Sequence, residues 1–150
     1  MMEELIFVPF EKEDRELYKE IFQNPVLMKY IYGKALTNDE VNTKYDIYLA
    51  KKKSFLYESY KVYDKDIYIG LASIREYRDG LEIGYIVLED YWHMGYGHRI
   101  CHQLVRLLDG RLYAIIDPLN IASKTILMKE GFLTIELKDD FELLERGIYE

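Results

Sequence analysis

The chain is poor in the residues that staple, break or tether a fold. Its one cysteine, Cys101, excludes an internal disulfide and agrees with a reducing compartment, and apolar helical neighbours make burial the expected state of that thiol. The three prolines, Pro9, Pro25 and Pro118, fall at connections; no Pro/Gly/Ser-rich tract, low-complexity run or internal repeat interrupts the sequence. Residues 1–150 therefore read as one continuous domain. No stretch of about 18 unbroken apolar residues is present, so no membrane-spanning helix and no membrane partner is expected. The opening Met-Met-Glu-Glu-Leu-Ile-Phe carries acids where a secretory leader carries bases, and the expected address is the cytoplasm. Basic residues are also short: 20 lysines and arginines stand against 27 acids, a net charge of −7, which disfavours a nucleic-acid partner and suits a cationic one. The only dense basic run, Lys51-Lys-Lys53, reads as the solvated end of a helix.

What the chain does have is apolar content, 49%, arranged in two periodicities. A short strand near Leu5 to Val8 precedes a first helix, Lys12 to Gln23, with Leu17, Ile21 and Phe22 on one face and Asn24-Pro25 as its stop. A second helix starts at Thr37-Asn-Asp-Glu40, where Thr37 and Glu40 form a capping box, and runs towards Lys51. From Ser54 to Leu88 the pattern becomes β-branched and aromatic, divided by Asp64-Lys-Asp66 and Arg78-Asp-Gly80 into three antiparallel strands. Then helix and strand alternate: helix Gly95 to Leu108 with Ile100, Leu104, Leu107 and Leu108 inward, strand Leu112 to Ile116, helix Ala122 to Glu130, strand Phe132 to Leu137, and a last strand near Leu143 to Tyr149. The expected class is mixed α/β: a central sheet of about seven strands, an antiparallel meander followed by a parallel strand-helix-strand unit, flanked by about four helices. A ligand is expected beyond the carboxyl end of that unit's first strand.

There the sequence reads Glu82-Ile-Gly-Tyr-Ile-Val-Leu-Glu-Asp-Tyr-Trp-His-Met-Gly-Tyr-Gly-His-Arg-Ile100, an apolar strand running into a glycine turn that opens an amphipathic helix. Gly95 and Gly97 let the backbone turn sharply and approach a ligand, while the first N–H groups of the helix point outward with partial positive charge. A pyrophosphate suits such a turn; a tight strand-to-helix connection with no ligand uses the same residues. All three histidines also lie here, and His98 with His102 at i, i+4 offers a rival reading as a metal pair, with Cys101 or His93 nearby. No glutamate follows His98 in the zinc-protease manner and no further cysteine exists, so no metal is expected.

A second constellation, Asn120-Ile-Ala-Ser-Lys-Thr-Ile-Leu-Met-Lys-Glu-Gly-Phe132, opens a helix on a polar residue and closes it with Gly131-Phe132 into a strand. With Tyr91-Trp-His-Met-Gly-Tyr-Gly97 and Asn24-Pro-Val-Leu-Met-Lys-Tyr30, it resembles the GNAT acyltransferase superfamily, and is most similar to the branch that acetylates ribosomal-protein N-termini. The element order is similar across nearly the whole chain. Three departures stand out. Trp92 occupies a place commonly held by Gln or Arg; His93 and Met94 stand where Gly and Lys are usual, with His98 and Arg99 as replacements for the missing charge; and Leu127 stands where many members carry a tyrosine proposed as general acid.

The resemblance implies direct transfer of an acetyl group from acetyl-CoA to a primary amine, a peptide N-terminus or a small molecule, with both substrates bound together. It implies that backbone groups of Ile86, Val87 and Leu88 hold the pantetheine and carbonyl, that His93, Met94, Gly95, Tyr96, Gly97, His98 and Arg99 hold the pyrophosphate, and that Asn120 and Ser123 meet the cofactor from a second arm. Tyr30 and Tyr32, between the first two helices, would line the acceptor mouth. Strand alternation places Glu82, Gly84, Ile86 and Leu88 on one face, and Glu82 is the candidate general base. An α-amino group, with a pKa of about 8, asks less of such a base than a lysine near about 10.4. Two readings outside catalysis stay open: an acyl-CoA-binding sensor that has lost transfer, and the metal site. Dimerisation through the last strands occurs in relatives, so a monomer or a homodimer is expected.

Overall fold

The protein is represented by a computed structural model that describes residues 3–52 and 56–147. Its described elements are β1 (Ile6–Pro9), α1 (Arg15–Phe22), α2 (Asn38–Lys51), β2 (Tyr57–Asp64), β3 (Ile67–Tyr77), β4 (Gly80–Val87), α3 (Tyr96–Leu107), β5 (Leu112–Ile116), α4 (Ile121–Lys129), β6 (Leu133–Leu137) and β7 (Glu142–Arg146). Short 3-10 turns at Lys12–Asp14 and Glu89–Tyr91 precede α1 and α3. The strands form one seven-stranded sheet in the order β1-β2-β3-β4-β5-β7-β6, antiparallel throughout except for β4 and β5. This is the mixed sheet that the sequence pattern predicts.

Local signals explain the joints. Thr37 caps α2, accepting from the Glu40 N–H at 3.2 Å while the Glu40 carboxylate accepts from the Thr37 N–H at 2.9 Å. Lys65 and Arg78 take left-handed φ values of 58° and 49° in the two tight turns that reverse the chain into β3 and β4. The regular β3–β4 register then sets Arg75 directly opposite Glu82.

The sheet has a core on each face. One is built by α3 and α4 over Ile74, Ile83, Leu112, Ala114 and Leu144, with Ile100, Leu104 and Leu127 contributed by the helices. The other is aromatic: α1 and α2 bury Tyr18, Phe22, Tyr45 and Tyr48 against Phe10 and Leu71. Burial pushes the Tyr18, Tyr45 and Tyr48 hydroxyls above the ordinary phenol range. The Tyr48 O–H is within reach of the Phe10 and Ser59 carbonyls, at 3.0 and 3.2 Å, so the aromatic hydroxyls are not all at the rim of the core.

Several expectations need correction. Leu107 points to solvent, 61% exposed, because α3 meets the sheet through Ile100, Cys101, Leu104 and Val105. Lys52 is no solvated helix end: its ammonium donates to the Phe10 carbonyl at 2.9 Å and pairs with Glu11 and Glu58. β4 ends at Val87, so Leu88 is the extended cap of the 3-10 turn, and β7 ends at Arg146. Lys53 and the end of the expected last strand, Ile148 and Tyr149, lie outside the described residues.

Candidate functional site

β4 and β5 run side by side for only two rungs, Leu81 with Leu112 and Glu82 with Tyr113, and then splay apart. The direction of the β4 backbone groups follows from two bonds at its ends. The Leu81 N–H donates to the Arg111 carbonyl beside β5, and the Leu88 N–H donates to the Ile69 carbonyl near the start of β3. Since an antiparallel ladder alternates, Glu82, Gly84 and Ile86 bond to β3, while Ile83, Tyr85 and Val87 turn their backbone groups into the split. A strand edge of this kind is a row of donors and acceptors ready to pair with an extended ligand. Of the three residues expected to hold pantetheine through the backbone, Val87 alone faces the split.

Beyond the carboxyl end of β4 lies the glycine turn. Gly95 is the N-cap of α3 at φ 82°, ψ 7°, and Arg99 donates the first helical bond back to its carbonyl at 3.1 Å. The N–H groups of residues 93–98 have no acceptor among the described residues. His93 also takes the left-handed region, φ 65°, so the backbone path that a glycine would favour is kept with a histidine in place. A Cβ on Gly97 would come within 3.2 Å of Ile126 Cδ1 and 3.8 Å of Tyr85 Cε2, so glycine there lets α3 lie close to α4 and β4.

The charged side chains of this turn point elsewhere. The Arg99 guanidinium stacks on Tyr96, 5.1 Å from the ring centroid, and reaches Asp64 at 3.4 Å and the Glu3 carbonyl at 3.3 Å. Tyr96 donates to the same Asp64 carboxylate at 2.6 Å. The Tyr96 hydrogen bond foremost, with Arg99 assisting against desolvation, holds the Asp64 carboxyl below its usual range. Arg99 is thus a paired cation rather than a free replacement for the missing lysine. His98 and His102 both turn their rings to Glu130 at the end of α4, at 2.8 and 3.0 Å. That carboxylate, which the sequence did not single out, accounts for the i, i+4 pair as a brace between two helices. Among the described residues, no set of three or more His, Cys, Asp or Glu side chains is arranged to hold a metal ion. Cys101 is fully buried and its thiol is pushed up to about 12, chiefly by desolvation and then by Glu130.

Glu82 occupies the apex of the split, on the last rung before β4 and β5 part. Arg75 Nε donates to its Oε1 at 2.8 Å, and a guanidinium Nη approaches the same oxygen at 2.7 Å, leaving Oε2 open among the described residues. Burial disfavours the Arg75 charge, but Glu82 outweighs it and the guanidinium pKa lies above its ordinary value. The seven-residue spacing about the Arg78-Asp79 turn was the sequence signal for this pair.

On the second arm, Asn120 caps α4 through a 3.2 Å bond to the Ser123 N–H, and the Ser123 hydroxyl lies 3.3 Å from that of Tyr85. Burial raises the Tyr85 phenol well above its ordinary range. Leu127, by contrast, is core. Tyr30 and Tyr32 belong to different cavities. Tyr30, Ile31, Ile115, Ile116, Asp117, Asp140 and Phe141 enclose about 260 Å³ at the carboxyl end of β5. Tyr32 lines a wider hollow of about 600 Å³ against the outer side of α2, with Leu36, Ile47 and Tyr57.

A sheet split open between its parallel strands, with a helix N-terminus at the mouth, is the architecture that the comparisons identify. Residues 4–133 match the family model described as an acetyltransferase (GNAT) domain, so the chain belongs to the GNAT acetyltransferase family. Among solved structures, it is similar to a domain from Methanocaldococcus jannaschii (TM-score 0.80, 16% identity, 97% of this chain and 99% of that one). It is also similar to spermidine N-acetyltransferase from Vibrio cholerae in complex with CoA and spermine (0.78, 13%, 94% and 94%). RimL, a ribosomal L7/L12 α-N-protein acetyltransferase in complex with coenzyme A, gives 0.74 at 14% identity over 96% and 94%. At these identities the likeness is one of fold. No curated protein matches the sequence.

Proposed function

We propose that this chain transfers an acetyl group from acetyl-CoA to a primary amine, with both substrates bound at once. The observation that carries the proposal is the run of unbonded N–H groups from His93 to His98 at the open end of the β4–β5 split. Six donors at a helix N-terminus match a pyrophosphate, and the Tyr85 and Val87 backbone edge matches the amides of a pantetheine arm. Acetyl-CoA, as co-substrate, supplies the acyl carbon as a thioester.

The chain's own residues supply positioning and proton transfer. The amine nitrogen attacks the thioester carbon, the C–S bond breaks, and the amine proton leaves to solvent or to Glu82 Oε2 directly or through water. An α-amino acceptor, partly neutral near pH 8, asks little of such a carboxylate. The amine enters beside Tyr30 and Phe141, where Asp117 and Asp140 face the same cavity and a cationic acceptor finds opposite charge. Leu127 delivers no proton to the leaving thiolate; the hydroxyls on that side are those of Ser123 and Tyr85. Relatives of similar fold include a spermidine N-acetyltransferase and a protein α-N-acetyltransferase, and both a small polyamine and a peptide N-terminus fit this acidic approach.

The Arg75 clamp on Glu82 favours one second reading, acyl-CoA binding without transfer. Calorimetric titration with acetyl-CoA, CoA and a CoA analogue lacking the pyrophosphate arm tests the cofactor assignment. Micromolar binding that needs the arm supports it, and no binding overturns it. Acetylated product from any member of an amine panel then rejects the sensor reading.

A further inference from the structure

The indole of Trp92 makes a bond that the proposed reaction leaves unused. Trp92 is the only tryptophan of the chain and ends the 3-10 turn after β4, its backbone N–H donating to the Glu89 carbonyl at 3.1 Å. Its indole Nε1–H reaches back to the Val87 carbonyl at 2.8 Å. By the alternation established at Leu81 and Leu88, that carbonyl faces the split between β4 and β5. The residue after Trp92 is the left-handed His93, the first of the unbonded N–H donors. One side chain thus ties the last residue of the strand edge to the start of the glycine turn.

We propose that Trp92 is a positioning residue for the cofactor: its indole N–H holds the Val87 carbonyl, fixing the span between the strand edge that takes pantetheine and the turn that takes pyrophosphate. The inference rests on the acyl-CoA reading above. A ligand that grips both arms feels an error at the joint, whereas a fragment that grips one arm does not. The bond also removes the Val87 carbonyl from the acceptors that the split offers, leaving the Val87 N–H and the backbone groups of Tyr85 and Ile83. Trp92 is 39% exposed, so its hydrogen bond adds little to folding, and its contribution is to pre-organise the site.

The test compares wild type, Trp92→Phe and Trp92→Gln by titration with CoA and with ADP, which carries the pyrophosphate arm alone. Phenylalanine keeps a ring without a donor, and glutamine keeps an N–H donor without the ring. The expected result is a fivefold to tenfold weaker CoA affinity for Trp92→Phe, on the scale of about one hydrogen bond. ADP affinity should stay within about twofold and Tm nearly unchanged, with at least half of the CoA loss recovered in Trp92→Gln. Wild-type CoA affinity in Trp92→Phe overturns the proposal, as does an equal loss of ADP and CoA affinity, which would make Trp92 a direct phosphate contact. A wild-type protein that binds no CoA overturns the acyl-CoA reading itself, a distinguishable failure.

Discussion

Replacing Gly95 by alanine separates the shape of the proposed phosphate cradle from its packing. Gly95 sits at φ 82°, and a Cβ built there meets nothing within 4 Å, so the substitution creates backbone strain and no clash. An L residue in the left-handed region costs about 1–2 kcal/mol, offset by about 0.4–1 kcal/mol from the lower entropy of the unfolded chain. The net loss is about 1 kcal/mol, equivalent to a Tm fall of about 2–4 °C at this chain length. Gly110, in the turn between α3 and β5, is an internal control, since it lies at φ 84° with an equally empty Cβ position. Gly110→Ala should therefore cost the same stability. The two variants should part company on ligand binding. If alanine relaxes towards negative φ, the N–H groups on either side of residue 95 rotate out of the cradle. Losing one or two hydrogen bonds to a charged phosphate, about 1.5–3 kcal/mol each, weakens CoA binding about tenfold to a hundredfold or more. Urea denaturation and calorimetric titration of both variants provide the assay. Equal CoA affinity in wild type, Gly95→Ala and Gly110→Ala would refute the N–H cradle as the phosphate site, whatever the stabilities show. Asn, which tolerates the left-handed region, should retain most of the affinity at position 95.

Glu82→Gln should lower turnover about 10- to 100-fold near pH 7 and leave the acetyl-CoA dissociation constant within about twofold; an unchanged rate across pH ends the base assignment. Asp64 has a depressed carboxyl pKa in the folded state, so its contribution is present above the unfolded value of about 3.9 and fades as pH falls through the lower folded value. Asp64→Asn should accordingly be less stable than wild type at pH 7, with the gap closing in strong acid. A gap in denaturation midpoint that is the same at both pH values contradicts the assignment. Cys101 combines full burial with a raised pKa, so a thiol reagent at pH 8 should label native protein far more slowly than protein in denaturant. Matching rates would mean that the α3–β4 packing is open.

The parts of the fold that depend on neighbours in sequence are legible from the sequence. The Thr37–Glu40 capping box, the two tight turns and the apolar faces of α1 and α3 each follow from spacing within a few residues. The glycine turn was legible for the same reason, because Gly95 and the start of α3 form one local unit. What the sequence could not show is which distant side chain claims each polar group. Arg99 reads as a free cation until Asp64 arrives from the β2–β3 turn, and the spacing of His98 and His102 does not show that both rings meet Glu130 from α4. Lys52 looks solvated because its acceptor, the Phe10 carbonyl, lies 42 positions away. Arg75 is the exception: the turn at Arg78-Asp79 fixes its rung opposite Glu82, so hairpin register alone would have found it.

The pairing of Arg99 with Asp64 also bears on how the two proposed substrates are attracted. A pyrophosphate arriving at the α3 N-terminus meets N–H dipoles equivalent to about half a positive charge, with Glu89 and Asp90 just before the turn and the nearest guanidinium already shared. Such a site acts at contact distance. It would hold an anion whose oxygens match the donor positions, and it offers no long-range pull, because a net charge of −7 repels distant anions. The cavity proposed for the acceptor follows the opposite logic. Asp117 and Asp140 add to the field of an acidic body that draws a cationic amine from a distance, while the apolar walls from Ile31, Ile115 and Phe141 hold no charge to fix its orientation. In the proposed arrangement the co-substrate would be selected by hydrogen-bond geometry and the amine by electrostatic field. On the proposed reading, a chain short of basic residues would serve an anionic co-substrate with positive potential from the backbone of one helix turn, which Asp64 ties down through Tyr96 and Arg99.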